Sequence, residues 1–370
     1  MRIAFCLFKY FPYGGMQRDA LRIGRLLMAR GHAVEFFTIA WQGERDPELP
    51  VHLLPARGLG NHARYGDFAR AFAVAARDFD GRVGFNKLPG LDVYYAADTC
   101  YRARMARRAF WHRLSGRYRA FVAAEKAVFD PAGRTHILAI SAAEAARYRD
   151  AWHTPPARFH LLPPGITPDR RAGPDAAELR ASLRAEFDIG EDDFLLLQVG
   201  SGFRMKGLDR SLRALAALPD SLRARCRLIA IGRDKPGPFL RLAQRLGIGG
   251  ALTILPGRDD IPRFMQGADL LLHPAYYENT GAVLIEAAVA GLPVLATAAC
   301  GYAEHVAASG CGQVLPEPFR QADMNAALAR MLGGGERPAW REAGIAYGRT
   351  QDLWHLHDRA ADTIEQVLRR

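Results

Sequence analysis

Short apolar runs alternate with stretches of helical period from the second residue onward. This is the pattern of βαβ units, in which a helix packed on the sheet returns each strand to a parallel neighbour. Residues 3–8 read as a first strand, Pro12-Tyr13-Gly14-Gly15 as a turn, residues 16–30 as a helix with Gly31 at its C-cap, and residues 34–38 as a second strand. Further strands are expected at 51–54, 82–85, 93–96 and 137–140. Leu162-Pro163-Pro164-Gly165-Ile166-Thr167-Pro168 is the densest Pro/Gly cluster and reads as a linker. Beyond it the pattern restarts: a strand at 194–200, a glycine-containing loop at 201–207, a helix at 208–218, then strands at 228–231, 252–255, 270–272 and 294–297. The expected architecture is α/β, with two Rossmann-like, doubly wound domains facing a central cleft. They cover residues 1–166 and 167–350, followed by an amphipathic C-terminal helix within 351–370 whose sequence leaves open which domain it packs against.

Bulk properties agree with two domains, since 370 residues with 49% hydrophobic content exceed what one core usually serves. The net charge of +11, mostly arginine in origin, calls for an anionic partner such as nucleic acid, a phosphorylated glycan or acidic lipid. Five cysteines, odd in number and without a CxxC pair, fit reduced thiols better than a disulfide framework. The apolar run at 3–8 is broken by Lys9, too short for an export signal, and the longest apolar stretch, 281–299, is broken by Glu286, Gly291 and Pro293. Any membrane contact is therefore expected to be peripheral.

Chemistry concentrates where strands end. Glu278 and Glu286 stand eight positions apart across the start of a helix expected at 282–290. Such a spacing arises by chance, but here it follows a buried strand and spans Gly281 at the helix start. Glu278 falls in the strand-to-helix turn, Glu286 more than a turn inside the helix, and the amides of Thr280, Gly281 and Ala282 are first-turn donors suited to phosphate. The arrangement offers one carboxylate for sugar hydroxyls, helix-end donors for a diphosphate and a second carboxylate for a ribose diol. Gly200-Ser201-Gly202-Phe203-Arg204-Met205-Lys206-Gly207 nearly imitates a dinucleotide fingerprint, but Met205 stands where the third glycine is needed and no acid ends the next strand. A diphosphate site with Lys206 and Arg204 fits better, and a solvated basic loop is the plainer reading of the same residues.

In the first half, Gly14-Gly15 followed by Gln17, Arg18 and Asp19 reads as free helix-start amides and as a tight turn needing positive φ. Asp19 caps that helix or meets an acceptor hydroxyl. Asp98, just past a strand end, is placed to orient or deprotonate an attacking alcohol, whereas Asp92 precedes the strand and suits a cap. Metal catalysis has little support: Asp78-Phe79-Asp80 sits at the wrong end of a strand, the eleven histidines offer no HExxH, and His355 and His357 diverge on a helix. From 101 to 120, Arg102, Arg104, Arg107, Arg108, Arg113, Arg117 and Arg119 occur with no acid, while Phe110, Trp111, Leu114, Tyr118, Phe121 and Val122 recur at helical spacing. The segment reads as an interfacial amphipathic helix for anionic lipid or as a packed helix with a solvated basic face. Nucleic acid is disfavoured, because no recognition motif or stacking sheet accompanies the patch.

The runs Phe5-Cys6-Leu7, Lys9-Tyr10-Phe11-Pro12, Gly84-Phe85-Asn86-Lys87, Pro89-Gly90-Leu91-Asp92-Val93-Tyr94, Leu162-Pro163-Pro164-Gly165-Ile166, His273-Pro274-Ala275-Tyr276 and Cys300-Gly301-Tyr302 closely resemble the lipopolysaccharide inner-core glucosyltransferases of Gram-negative bacteria. The resemblance runs essentially end to end. The wider group is the retaining, metal-independent glycosyltransferases of family four with the GT-B fold, whose E-x7-E element is matched by Glu278 and Glu286. It implies transfer of a hexose, glucose from UDP-glucose, onto a heptose of the lipopolysaccharide core at the cytoplasmic face of the inner membrane. The UDP-sugar is then a substrate, and no cofactor or metal is expected. It further implies that Glu278 contacts the donor sugar and Glu286 the ribose, that Lys206 meets the diphosphate, that Gly15, preceded by Gly14, belongs to the phosphate-side loop, and that Asp19 and Asp98 lie on the acceptor side. Arg258 matches a base-binding loop that uses mainly backbone, Arg170 an arginine at the interdomain cleft, and the basic segment a membrane-associating region. Two departures stand out. Met205 replaces an arginine, so either Arg204 substitutes from a displaced position or one phosphate contact is missing, and Asn279-Thr280 replaces a small pair beside the sugar pocket, which leaves glucose, galactose and N-acetylhexosamine open as donor sugars.

Overall fold

The structure, a computed structural model, describes residues 1–12, 14–58, 60–106 and 110–369. The chain forms two compact units, one of Met1–Gly165 with His355–Arg370, the other of Ile166–Trp354.

The first unit is built on a parallel sheet of β1 (Arg2–Cys6), β3 (Ala33–Thr38), β5 (Val51–Leu53), β6 (Gly81–Gly84), β7 (Val93–Ala96), β8 (His136–Ala139) and β9 (Phe159–Leu161), in the order β5-β3-β1-β6-β7-β8-β9. Successive side chains of a strand point to opposite faces, and β1 is apolar beyond its exposed Arg2 because both of its faces are covered. Ile3 and Phe5 join one core, Ala4 and Cys6 the other. The helix Gly15–Ala29 covers the first of these faces with Ala20, Ile23, Gly24 and Leu27. Beside the sheet, β2 (Lys9–Tyr10) pairs with β4 (Ala40–Trp41), and their aromatic rings stack at 3.7 Å. Neither this pair nor β9 is expected from the sequence, since Lys9–Tyr10, Ala40–Trp41 and Phe159–Leu161 form no apolar run of strand length.

The C-terminal helix Leu356–Leu368 belongs to the first unit. Its Leu356, Ala360, Ala361 and Ile364 enter the core that holds Ile3 and Phe5. Arg30 and His32 bind its Asp362 and Glu365, each at 2.8 Å.

The second unit has β10 (Phe194–Val199), β11 (Cys226–Ile231), β12 (Leu252–Leu255), β13 (Leu270–His273), β14 (Val294–Thr297) and β15 (Gly312–Leu315), all parallel, in the order β12-β11-β10-β13-β14-β15. Leu195 and Leu197 face one core while Phe194 and Leu196 face the other.

The basic segment departs from expectation. In place of one helix it forms a helix at Tyr101–Ala106, a 3-10 turn at Phe110–Leu114 and a second helix at Gly116–Phe129. Ser115 makes the break: its hydroxyl accepts from the Tyr118 amide at 3.1 Å and caps the second helix. Arg107 and Arg108 lie outside the described residues.

Candidate active site

Strand β13 ends in a histidine, and that histidine organises the second unit's chemistry. His273 is fully buried, with its Nε2 2.5 Å from Glu278 Oε2, while Lys206 Nζ donates to Glu278 Oε1 at 2.6 Å. The Glu278 backbone is clamped as well: its N–H donates to Ala299 O at 3.2 Å and its carbonyl accepts from Gly301 N at 3.2 Å. Burial by itself pushes the Glu278 carboxyl up, but the neighbouring His273 and Lys206 outweigh it and bring the pKa down to about 2. A carboxylate with both oxygens engaged is thus fixed in place and fixed in charge.

Lys206 reaches it through the loop after β10. The Lys206 amide donates to Gly202 O at 2.9 Å, and its carbonyl accepts from the buried Gln198 amide at 3.0 Å. Gly207 has φ of 75°, and a Cβ there would lie 2.1 Å from Pro274 O, so only glycine lets the two loops close to this distance. Met205 contributes its carbonyl, which accepts from Tyr276 N at 2.8 Å and ties the lysine loop to the glutamate loop. Arg204 is exposed on the same loop.

Eight residues on, Glu286 lies on the helix Ala282–Val289, and its Oε1 is 3.7 Å from Arg170 Nε. Two nitrogens of Arg170, Nε and Nη1, are buried without a hydrogen-bond partner among the described residues, and Nε also lies 3.9 Å from Asp169 Oδ2. Asn279 and Thr280 are half-buried between the two carboxylates, followed by Gly281 and Ala282 at the helix start. First-turn amides there have no intrahelical acceptor. Arg258 is held by its own Asp260 through two bonds of 2.7 Å, which commits its guanidinium and leaves its loop's backbone for other work.

His273, Glu278 and Cys300 offer ligand atoms within 4.8 Å of one another. The donor set fits a cation poorly. An ammonium already occupies one carboxylate oxygen, the imidazole the other, and burial followed by the Glu278 charge holds the Cys300 thiol up at about 12. The same protonated thiol makes a poor nucleophile.

In the first unit Gly14 is extended at φ −83°, contrary to the expected positive φ. Space is what demands glycine there, since a Cβ would come within 1.9 Å of Gln17 Oε1 and 2.7 Å of the Phe11 ring, whereas Gly15 has nothing within 4 Å. Asp19 is held in place by Tyr95 Oη and His357 Nε2, both at 2.8 Å. Asp98 is exposed and lines a hollow of about 450 Å3 together with Arg104 and Arg117 of the basic segment. Arg102 lies over the Trp152 ring at 4.6 Å, Arg113 donates to Ala106 O at 3.3 Å and Arg119 is exposed. Trp111 is 61% exposed between Phe110 and Leu114, which are equally open.

Residues 13–170 match the family described as Glycosyltransferase Family 4, and residues 180–346 match Glycosyl transferases group 1. Over 368 residues the chain is 44% identical to the lipopolysaccharide glucosyltransferase WaaG of Escherichia coli K12, covering 98% of each chain. The chain belongs to the WaaG family of glycosyltransferases. A crystal structure of WaaG, a glycosyltransferase involved in lipopolysaccharide biosynthesis, matches the fold with a TM-score of 0.91 over 98% of this chain and 99% of that one. D-inositol 3-phosphate glycosyltransferase of Geodermatophilus obscurus is 28% identical over 96% of this chain and 87% of its own length. HepE from Anabaena, in complex with UDP and glucose, has a TM-score of 0.74 over 99% of this chain and 100% of its own at 18% identity, a likeness of fold alone.

Of the residues expected in the site, the structure brings Lys206 to Glu278 and Arg170 to Glu286, and it adds His273 and Glu125, to which sequence reading gives no role. The signal for His273 is a histidine that closes an apolar strand run just before Pro274. Glu125 is fully buried and accepts from Lys87 Nζ at 2.7 Å, from the amides of Tyr101 and Arg102 at 2.8 and 3.0 Å, and from Trp152 Nε1 at 2.9 Å. It pins the start of the basic segment. Its signal is a lone acid within the apolar stretch 121–129.

Proposed function

We propose that the protein transfers glucose from UDP-glucose, with retention of configuration and without a metal, onto a heptose of the lipopolysaccharide inner core. The observation that carries this reading is the Glu278 carboxylate, held ionised between Lys206 and His273 at the mouth of a helix that bears Glu286, in a WaaG-family chain.

The chemistry follows from where charge develops. As the bond from the anomeric carbon to the diphosphate oxygen breaks, negative charge grows on the leaving diphosphate and positive charge on the sugar ring. Lys206, Arg204 and the first-turn amides at Gly281 and Ala282 face the former, and Glu278 faces the latter; preorganised groups of this kind supply most of a barrier reduction. The acceptor hydroxyl attacks the same face that the diphosphate leaves, forming the new glycosidic bond as its proton passes to a diphosphate oxygen. No covalent intermediate is invoked. Glu286 takes the ribose diol, the Arg170 donors the diphosphate, the Arg258 loop the base through its backbone, and Asp98 and Asp19 serve the acceptor side.

Association with anionic lipid at the cytoplasmic face of the inner membrane is supported by the exposed Phe110, Trp111 and Leu114 among arginines. Among the described residues no helix is long and apolar enough to cross a membrane. Asn279 and Thr280, half-buried between the two carboxylates, favour a second reading in which the donor sugar is galactose or an N-acetylhexosamine.

The test is a panel of UDP-glucose, UDP-galactose and UDP-N-acetylglucosamine with purified protein and a heptosylated acceptor, the product being analysed by NMR. One α-linked glucose on heptose is expected. Transfer of another hexose replaces the donor assignment, a β-linkage removes retention, and no transfer from any donor leaves an anion-binding protein of the same fold.

A further inference from the structure

The hollow in the first unit carries more positive charge than its own residues neutralise. Lys9, Arg64, Arg104 and Arg117 line it, and Asp98 is the one carboxylate among its described lining residues. Lys87 adds a fifth cation, already paired with Glu125 at 2.7 Å. Among the described residues no carboxylate lies within ion-pair distance of Lys9, Arg64 or Arg117. Like charges gathered on a concave wall repel one another and favour an anion in that space.

Four aromatic side chains, Phe8, Tyr65, Tyr101 and Phe121, line the same wall. Phe8 and Tyr65 have ring centroids 3.9 Å apart, Tyr65 and Phe121 5.6 Å, and Tyr101 and Phe121 5.4 Å. Tyr65 is locked by its hydroxyl, which donates to Lys87 O, and the Arg117 guanidinium lies over the Phe121 ring at 5.6 Å. Flat apolar faces suit the C–H faces of sugar rings, guanidinium edges suit carboxylate or phosphate oxygens, and one exposed carboxylate suits a hydroxyl. The exposed Phe110, Trp111 and Leu114 are absent from this wall, so the part of the segment that faces a lipid surface and the part that lines the hollow are different.

We propose that the hollow is an anion-reading subsite for the acceptor: it binds a sugar that carries a carboxylate or a phosphate monoester, with Arg64 and Arg117 on the anion and Asp98 on a hydroxyl of the saccharide. This inference rests on the acceptor being a saccharide, as in the proposed function. Acceptor choice is then set by a charge as well as by the hydroxyl that reacts.

The test uses Arg64→Gln, Arg117→Gln and the double variant, with a detergent-dispersed heptosylated lipopolysaccharide in three forms: native, dephosphorylated and carboxyl-reduced. Binding is measured by calorimetry without donor, and KM and kcat by transfer assay. Each substitution is expected to weaken native acceptor binding about tenfold, the worth of one charge-assisted hydrogen bond, and to raise the acceptor KM while kcat and the KM for the UDP-sugar change little. The treatment that drops the wild type to the variant's affinity, and leaves the variant unmoved, identifies the anion as phosphate or carboxylate. Arg64→Lys is expected to recover part of the loss. The proposal is overturned if the variants bind native acceptor like the wild type, if they lose native and neutralised acceptors equally, or if they lose only flotation with anionic liposomes. A wild type that transfers to no acceptor sinks the proposed function, and calorimetry still decides the subsite. Thermal midpoints verify folding, and Lys9→Gln, exposed on the wall, repeats the test if an arginine variant fails to fold.

Discussion

Two donors meet on the Glu278 carboxylate, and the loss of either has its own signature. Lys206→Met removes the cation expected to face the leaving diphosphate, so kcat should fall about 100- to 1,000-fold at saturating UDP-glucose, the usual cost of losing one transition-state donor. Turnover near that of the wild type would show that Lys206 merely anchors the loop. His273→Phe leaves Glu278 buried with a single partner, and its pKa should rise from about 2 toward or past the ordinary 4.5. The wild type should therefore show no acid limb from Glu278 above pH 4.5, whereas the variant's kcat/KM profile should gain one at higher pH than the wild type's. Because the folded pKa is depressed, the ionised pair stabilises the fold fully above 4.5, and that contribution fades as pH falls toward 2. Urea titrations of wild type and Glu278→Gln across that window should converge at its acid end. The glutamate spacing was legible because it is local, a matter of counting along a helix start. His273 was not, because its approach to Glu278 depends on how a strand end and a turn fold back, a contact that no period encodes.

Elements carry the next set of consequences. The first helix of the basic segment hangs from Glu125, whose carboxylate takes two of its first amides while neutralising the buried Lys87. Glu125→Ala strands a buried ammonium and should cost about 3–5 kcal/mol in a urea unfolding experiment, against a much smaller loss for an exposed change such as Arg119→Gln. A loss under about 1 kcal/mol would mean water takes over the carboxylate's role. On the 3-10 turn, Trp111→Ala with Phe110→Ala should reduce flotation with anionic liposomes while leaving transfer to a detergent-dispersed acceptor intact, and the wild-type binding should weaken as salt rises. The sequence announces this segment's charge and its aromatic residues, but not the break at Ser115. Ser115-Gly116 is itself a turn and N-cap signal, but the apolar and basic period that continues across it masks the break. By contrast β1, β7, β13 and β14 were plain to read, since strands covered on both faces become unbroken apolar runs.

At the scale of the whole molecule, the two-unit α/β plan is written in an alternation that starts twice, and that much survives any local error. The place of the C-terminal helix is not written: an amphipathic stripe says that something is covered, not what. Its apolar face closes the core around Ile3 and Phe5. Removing residues 356–370 should therefore expose the first unit to limited proteolysis while the second unit persists as a resistant fragment, and equal resistance of both would show that the helix is dispensable. The same fact sets a timetable. Translation delivers residues 1–165 first and the helix that completes their core last, after the whole of the second unit has been made. The unit that leaves the ribosome first is thus the last to mature, and through most of the chain's synthesis its open face is a surface for a chaperone to guard.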